Sequence, residues 1–370
     1  MKILFLCGSL AYQKDGVGDY TRKLAGELIR QGNDCKLVAL MDKEVLSDTH
    51  EFQEIDEAKI EVLRLPYENG FQENAKSAKQ LIDSFNPHWV SLQYVPFSFH
   101  HKGMPFGFQH ALLQLVCNRN FHIMFHELWV GISIISPFKH KVLGFFQKYI
   151  AKKIITKTKP ISITTTNILY NLVLQKAEIN AMVLPLFSDI QKIKPDEIYF
   201  NSILTENKIT DISSCIFVGV FGTIYPQANI ESLLCELHDS KNKNQKIVFL
   251  HFGRVGAFGK KELIRLEDRF TGMIKFITLG ELSSDEISTI LQKLDVGISC
   301  TPSQHVGKSG VFAAMKLHGL KVEMSCGDVL PDYNTALQNK MPEFLNRPSE
   351  MWDVKYIAQQ FLTTLNSSNK

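Results

Sequence analysis

At 370 residues, 45% of them hydrophobic, the chain is longer than one compact core usually serves, so two domains are expected, each with its own core. The balance of 41 Lys and Arg against 38 Asp and Glu leaves a formal net charge of +3, which argues against a nucleic-acid partner. Of seven cysteines, Cys7, Cys35, Cys215 and Cys300 lie in or beside apolar runs without metal-ligand spacing, which reads as buried thiols in a reducing compartment and gives no metal site.

Met1-Lys2 leads straight into an apolar strand, Ile3 to Cys7. There is no leader-like segment, and no apolar run reaches the roughly 18 to 20 residues of a transmembrane helix, so a cytoplasmic protein is expected. A polar loop follows to Asp15-Gly16-Val17-Gly18, and then Asp19 to Arg30 repeats apolar residues in a helical rhythm and stops at Gly32. Glycines after a first strand occupy a ligand-site position. The dinucleotide fingerprint G-x-G-x-x-G fails here because its third glycine falls on Thr21. Asp19 is a candidate base, or simply an acid that complements the helix dipole.

Further strands are expected at Cys35 to Leu40, Ile60 to Leu65 and Trp89 to Gln93, with a helix from about Gln72 to Phe85 stopped by Asn86-Pro87. Alternating strands and helices predict a parallel sheet covered on both faces. Phe97 to Phe108 reads as an aromatic, glycine-dotted loop facing a substrate. The next strand, Phe121 to Phe125, ends in His126-Glu127, where a neutral imidazole can accept a hydrogen bond or a proton, and the carboxylate can orient the ring or act as the base. The competing reading of His126 is a hydrogen-bonded structural histidine.

Residues 128–177 contain no acid. Within them Lys139, Lys141, Lys148, Lys152, Lys153, Lys157 and Lys159 interleave with Phe138, Leu143, Phe145, Phe146, Tyr149, Ile150 and Ile154. A helix would sort these into a basic and an apolar side, which makes 138–159 a candidate contact with an anionic membrane surface; the alternative is a sheet-covering helix with a solvated lysine face. Ile161 to Thr166 and Met182 to Pro185 read as the last strands of a first domain.

After a polar linker from about Ser188 to Ser213, strands are expected at Cys215 to Phe221, Lys246 to Phe252, Ile274 to Thr278 and Val296 to Ser299, with helices at Lys260 to Phe270 and Ser284 to Lys293. The stretch His305 to Val322 follows. Gly307 and Gly310 permit close backbone approach, a helix from about Ser309 to His318 presents its open N–H groups to an anion, Lys308 adds charge, and Gly319 ends the helix. An ordinary loop and helix would show the same spacing. Ser349 to Leu365 predicts a final helix on Trp352, Tyr356, Ile357, Phe361 and Leu365.

His305 to Val322, together with Asp15 to Tyr20 and Phe125 to Trp129, resembles the GT-B glycosyltransferases, in particular the family-four-like group. The resemblance implies two doubly wound Rossmann-like α/β domains facing across a cleft: 1–187 on the acceptor side, 188–348 for the donor, and 349–370 as a helix packing back toward the first. It also implies that Gly16, Gly18, Gly307, Lys308, Ser309, Gly310 and Val311 lie at the donor phosphates, that Gly280, Glu281 and Leu282 lie at the base, and that His126 points at the donor sugar. Arg254 would stand in for the family's usual phosphate-binding arginine, whose loop here carries Thr223. The family's two glutamates, spaced eight apart, fall on Val306 and Ala314, and Lys321 replaces a proline, which puts the retaining mechanism in doubt.

No Asp-x-Asp metal site is present. The activity so implied is metal-independent sugar transfer, without cofactor, from a nucleotide-sugar donor to a glycan or lipid-linked acceptor, as in bacterial envelope polysaccharide assembly. Rival readings are a degenerate relative that binds nucleotide sugar or partners another transferase, a sugar-nucleotide epimerase, and a structural protein.

Overall fold

The computed structural model describes residues 1–12, 14–241, 244–326 and 331–367. The chain forms two compact units. Unit 1 comprises Met1–Pro185, Leu330–Ala336 and Val354–Lys370; unit 2 comprises Leu186–Val329 and Leu337–Asp353. Each is a Rossmann-like α/β unit.

Unit 1 holds strands β1 (Lys2–Cys7), β2 (Asp34–Asp42), β3 (Thr49–Ile55), β4 (Ala58–Pro66), β5 (Trp89–Tyr94), β6 (Asn120–Phe125), β7 (Ser162–Thr165) and β8 (Met182–Val183). They form one sheet in the order β3-β4-β2-β1-β5-β6-β7-β8. All pairings are parallel except β3 with β4. The central strands are apolar and buried, as strands covered on both faces must be. Strand β3 was not expected. It alternates half-buried and exposed residues and carries charges, which suits the sheet edge it occupies and hides it from a search for apolar runs.

The helices of this part of the chain are α1 (Gly16–Arg30), α2 (Gly70–Phe85), the single turn α3 (Pro96–Phe99), α4 (Phe108–Val116), α5 (Phe138–Thr158) and α6 (Ile168–Lys176). The Asp15 carboxylate caps α1, accepting the N–H groups of Val17 and Gly18 at 2.9 Å each. The expected substrate-facing loop at Phe97 to Phe108 is corrected in part. Phe99 and Phe108 are fully buried and stack at 4.5 Å, with Phe99 also on Tyr94 at 5.8 Å, so these two rings belong to the core.

Helix α5 does not sort its residues as predicted. The stripe turned to the protein is Gly144, Gln147, Ile150, Ala151, Ile154 and Thr158, whereas Phe138, Phe145, Phe146 and Tyr149 point outward among the lysines. Small and polar residues fit that buried stripe because the chain passes very close. A Cβ on Gly144 would run into the Val130 carbonyl, and the Gln147 amide oxygen accepts the Val130 N–H at 2.9 Å. Gly144→Val should therefore push the 129–131 segment off the helix and cost about 1–3 kcal/mol. Val142→Ala, on the exposed side, should stay within about 0.5 kcal/mol in the same thermal melt.

Unit 2 opens with α7 (Glu197–Glu206), inside the stretch read as a linker. Its Phe200, Ile203 and Leu204 are buried in the unit's core, so the segment belongs to the domain. Then come β9 (Cys215–Phe221), α8 (Ile230–Ser240), β10 (Lys246–Phe252), α9 (Ala257–Arg269), β11 (Ile274–Gly280), α10 (Ser284–Lys293), β12 (Val296–Ser299), α11 (Gly310–Leu317), β13 (Lys321–Met324) and, from Leu337 on, α12 (Asn334–Leu345). The sheet is all parallel in the order β11-β10-β9-β12-β13.

The expected final helix is divided. Ser349–Trp352 is a 3-10 turn of unit 2, with Trp352 fully buried, while α13 (Val354–Ser367) lies in unit 1. There Phe361 stacks on Phe5 at 5.7 Å and meets the His122 ring edge-on at 5.3 Å. No helix among the described residues is long and apolar enough to cross a membrane.

Candidate functional site

In unit 2 the strand order reverses between β9 and β12. The carboxyl ends of strands at such a reversal leave a crevice in which open α/β sheets bind ligands. Both sides of this crevice are backbone. After β9 the chain turns at Gly222, with φ +81°, and a Cβ there would stand 3.5 Å from Cγ2 of Val311. After β12 the chain forms a 3-10 turn, Ser303–Lys308, and enters α11 at Gly310.

The Ser309 side chain caps α11. Its hydroxyl accepts the Phe312 N–H at 3.2 Å and bonds Thr301 Oγ1 at 3.0 Å. That leaves the Gly310 and Val311 N–H groups at the positive end of the helix, with Lys308 two residues before it. A helix start of this kind can receive an anion. Gly307 departs from the expected open loop: it is buried in the 3-10 turn, and its carbonyl accepts the Leu186 N–H at 3.0 Å. Val306 and Ala314 are buried, at 1% and 0% exposure. Neither site could hold a carboxylate without a desolvation cost.

Asp189, which sequence reasoning did not single out, stands beside the start of α11. A Cβ on Gly310 would lie 3.6 Å from its Oδ2. No local spacing points to it, because it is placed by the fold.

The ends of β10 and β11 meet at Gly253 and Gly280, both at positive φ, through a 2.6 Å bond from Gly253 N–H to Gly280 C=O. Beside them Arg254 Nε donates to Glu281 Oε2 at 3.0 Å, both side chains being largely exposed. An ion pair so exposed contributes roughly 0–1 kcal/mol, so an incoming phosphate can compete for the guanidinium. Leu282 instead leans on the core.

In unit 1 the start of α1 meets the end of β6 through Tyr20, whose ring lies 4.9 Å from that of His126 at 72°. Gly18 is required by packing, since a Cβ there would approach Ser9 O to 2.8 Å, whereas Gly16 has open space. Asp19 forms an ion pair with Arg22, whose side chain is 1% exposed and also donates to Leu10 O at 2.7 Å. This partner explains Asp19 as a structural anion at the helix start as fully as a catalytic role would.

His126 is 5% exposed and ends a buried chain of hydrogen bonds. Its Nε2–H donates to Gln93 Oε1 at 2.8 Å, and Gln93 Nε2 donates to Ser91 Oγ at 2.8 Å. Ser91 Oγ is hydrogen-bonded to His122 Nδ1 at 2.8 Å, and His122 Nε2 to Thr164 Oγ1 at 2.9 Å. Gln93 Oε1 can only accept, which fixes the His126 tautomer. Burial holds both imidazoles neutral, each pushed down to about 3, with the neighbouring His126 adding to the effect at His122. His126 therefore has Nδ1 as its lone-pair nitrogen, able to accept a hydrogen bond but, held at about 3, a weak base. Glu127 is half-buried at the next position.

Only part of this chain of bonds was read from the sequence. Its signal was there: Ser91 and Gln93 share one face of an otherwise apolar strand, and Ser91 pairs with His122 across the sheet. Among the described residues no group of three His, Cys, Asp or Glu side chains is placed to hold a metal ion.

No protein-family model and no curated protein matches the sequence. Solved structures do match the fold. A glycosyltransferase from Rickettsia africae ESF-5 superposes with TM-score 0.59 at 12% identity, covering 100% of this chain and 99% of the other. Sucrose-phosphate synthase from Thermosynechococcus elongatus gives 0.56 at 12%, covering 99% and 94%. Anabaena HepE in complex with UDP and glucose gives 0.53 at 15%, covering 99% and 100%. At these identities the likeness establishes the two-domain Rossmann-like fold.

Proposed function

We propose that this GT-B-fold chain is a metal-independent glycosyltransferase that moves a sugar from a nucleotide-sugar donor to a glycan or lipid-linked acceptor at an anionic membrane surface. The observation that carries the donor half is the cradle where the order of the unit 2 strands reverses: Gly222 against Val311, with the Gly310 and Val311 N–H groups and Lys308 at the start of α11. As the bond from sugar to diphosphate breaks, negative charge grows on the leaving group. Fixed amides and an ammonium stabilise that charge without reorganising. Arg254 joins them by leaving Glu281. His126 Nδ1 accepts a hydrogen bond from a sugar hydroxyl, and Gln93 keeps the ring from turning.

A second reading, a protein that binds nucleotide sugar without transferring it, is favoured by one observation. The two positions where the resembling family carries glutamates are buried and apolar here.

Thermal stability against UDP, GDP, dTDP and CMP sugars, with and without EDTA, tests the donor half. One base class should stabilise the protein by about 2.7 kcal/mol at a hundredfold over its dissociation constant, EDTA should not matter, and Lys308→Ala should lose most of the shift. A wild type indifferent to every nucleotide sinks the donor reading. Donor binding without consumption in the presence of acceptor extracts favours the second.

A further inference from the structure

Unit 1 contains a cavity of about 450 Å³ walled by residues 129–134, which follow β6, by the first half of α5, by α6 and by the 332–333 segment. Three lysines line it. Lys148 Nζ lies 5.7 Å from the Trp129 ring centroid and Lys176 Nζ 5.3 Å from that of Tyr333, while Lys141 Nζ donates to Ile134 O at 2.5 Å. The rings and the carbonyl hold the ammonium groups around the opening. One acid lines the wall, Asp332, and its Oδ2 accepts the Ile134 N–H at 2.9 Å. Three cations against one carboxylate leave the cavity electropositive, and its volume is that of a small-molecule site.

Two of its lining residues are apolar and exposed, Ile134 at 63% and Phe145 at 68%, and the chain between them adds Ile135 at 63% and Phe138 at 82%, more exposed apolar surface than a soluble protein normally carries in one short stretch. A free phosphate would need the lysines but not this rim. An amphiphile needs both. We propose that the cavity takes the phosphate headgroup of an anionic membrane lipid, while Ile134, Ile135, Phe138 and Phe145 enter the hydrocarbon boundary around it. The inference rests on the membrane partner named above and gives that partner a site. It also explains why the aromatics of α5 face outward, against the sorting that its sequence suggests.

Flotation with phosphatidylcholine vesicles, with and without phosphatidylglycerol, tests it. The wild-type chain should float only with the anionic vesicles. Lys148→Ala and Lys176→Ala should each weaken binding by more than the roughly fivefold that one surface lysine supplies. Lys157→Ala and Lys159→Ala, in and just past the last turn of the same helix, should cost no more than that fivefold. Phe138→Ser with Phe145→Ser should abolish flotation while leaving the thermal melt in place.

Equal losses at both ends of α5 would overturn the site in favour of diffuse attraction. Absence of flotation, or stabilisation by inorganic phosphate alone that depends on Lys148, would overturn the lipid assignment. The nucleotide-sugar thermal shift, measured on the same variants, separates a failure here from a failure of the donor reading, because the two sites lie in different units.

Discussion

Trp352→Ala should destabilise unit 2 by about 3–5 kcal/mol, the cost of emptying a fully buried indole site. Trp352 has no exposed surface, and its ring stands edge-on to Phe312 of α11 at 5.3 Å and to Phe344 of α12 at 5.5 Å. Its carbonyl accepts the Ser188 N–H at 2.9 Å, next to the residues that tie Leu186 to Gly307. The cavity would therefore open directly beneath the helix whose first turn is the proposed anion cradle. Urea unfolding followed by hydrogen exchange of β9 and β12 reads the loss unit by unit. Trp352→Phe is the informative companion. The indole Nε1 is buried without a hydrogen-bond partner, so the phenyl ring gives up some packing but also removes an orphaned donor, and the net cost should stay below about 1.5 kcal/mol. A Trp352→Ala protein as stable as wild type would mean that α11 does not depend on this contact.

Acid should unfold unit 1 well before its carboxylates titrate. His122 and His126 are neutral in the folded protein, held at about 3 by burial, whereas unfolded histidines titrate near 6.5. Protons then bind the unfolded chain first. The stability tied to these two groups is complete above pH 6.5 and is lost as pH falls from there toward 3, at up to about 1.4 kcal/mol per pH unit for each ring. At pH 5 the loss approaches roughly 2 kcal/mol for each. Unit 2 also contains histidines depressed by burial, with His305 at about 4, so both units soften. Hydrogen exchange of β5 and β6 between pH 7.5 and 5 isolates the unit 1 share. His122→Gln, which cannot titrate, should flatten that slope even if it lowers the plateau. A wild type whose β5 and β6 protection is unchanged at pH 5 would contradict the burial of these rings.

The parallel core was legible because buried strands are written as plain apolar runs: Ile3 to Cys7, Trp89 to Gln93 and Cys215 to Phe221 all lie within observed strands. Strand β3 escaped because an edge strand faces water and alternates with charge. Helix α7 escaped because Lys192, Lys194, Pro195 and Asp196 before it read as linker, and α12 carries a proline, Pro342, inside it. Helix α5 shows a deeper limit. Its composition was correctly read as basic and aromatic, but which side faces inward was decided by Gly144 meeting Val130, a contact between segments that no periodicity encodes. At the candidate site, the Ser309-capped helix and the end of β6 could be placed from local signals. Asp189 beside Gly310, and the chain of bonds from His126 to Thr164, depend on strands and turns far apart in sequence coming together.

Helix α13 completes unit 1 from beyond unit 2. Phe361 closes over Phe5 and His122, yet the ribosome makes residues 354–367 only after all of unit 2. During synthesis the face of the first sheet carrying Phe5, Ser91 and His122 thus waits uncovered while the second unit is made and folds, at a few to some twenty residues per second. The order of translation is opposite to the order in which unit 1 would prefer to assemble. Nascent unit 1 therefore keeps an apolar sheet face open until residues 354–367 have been made.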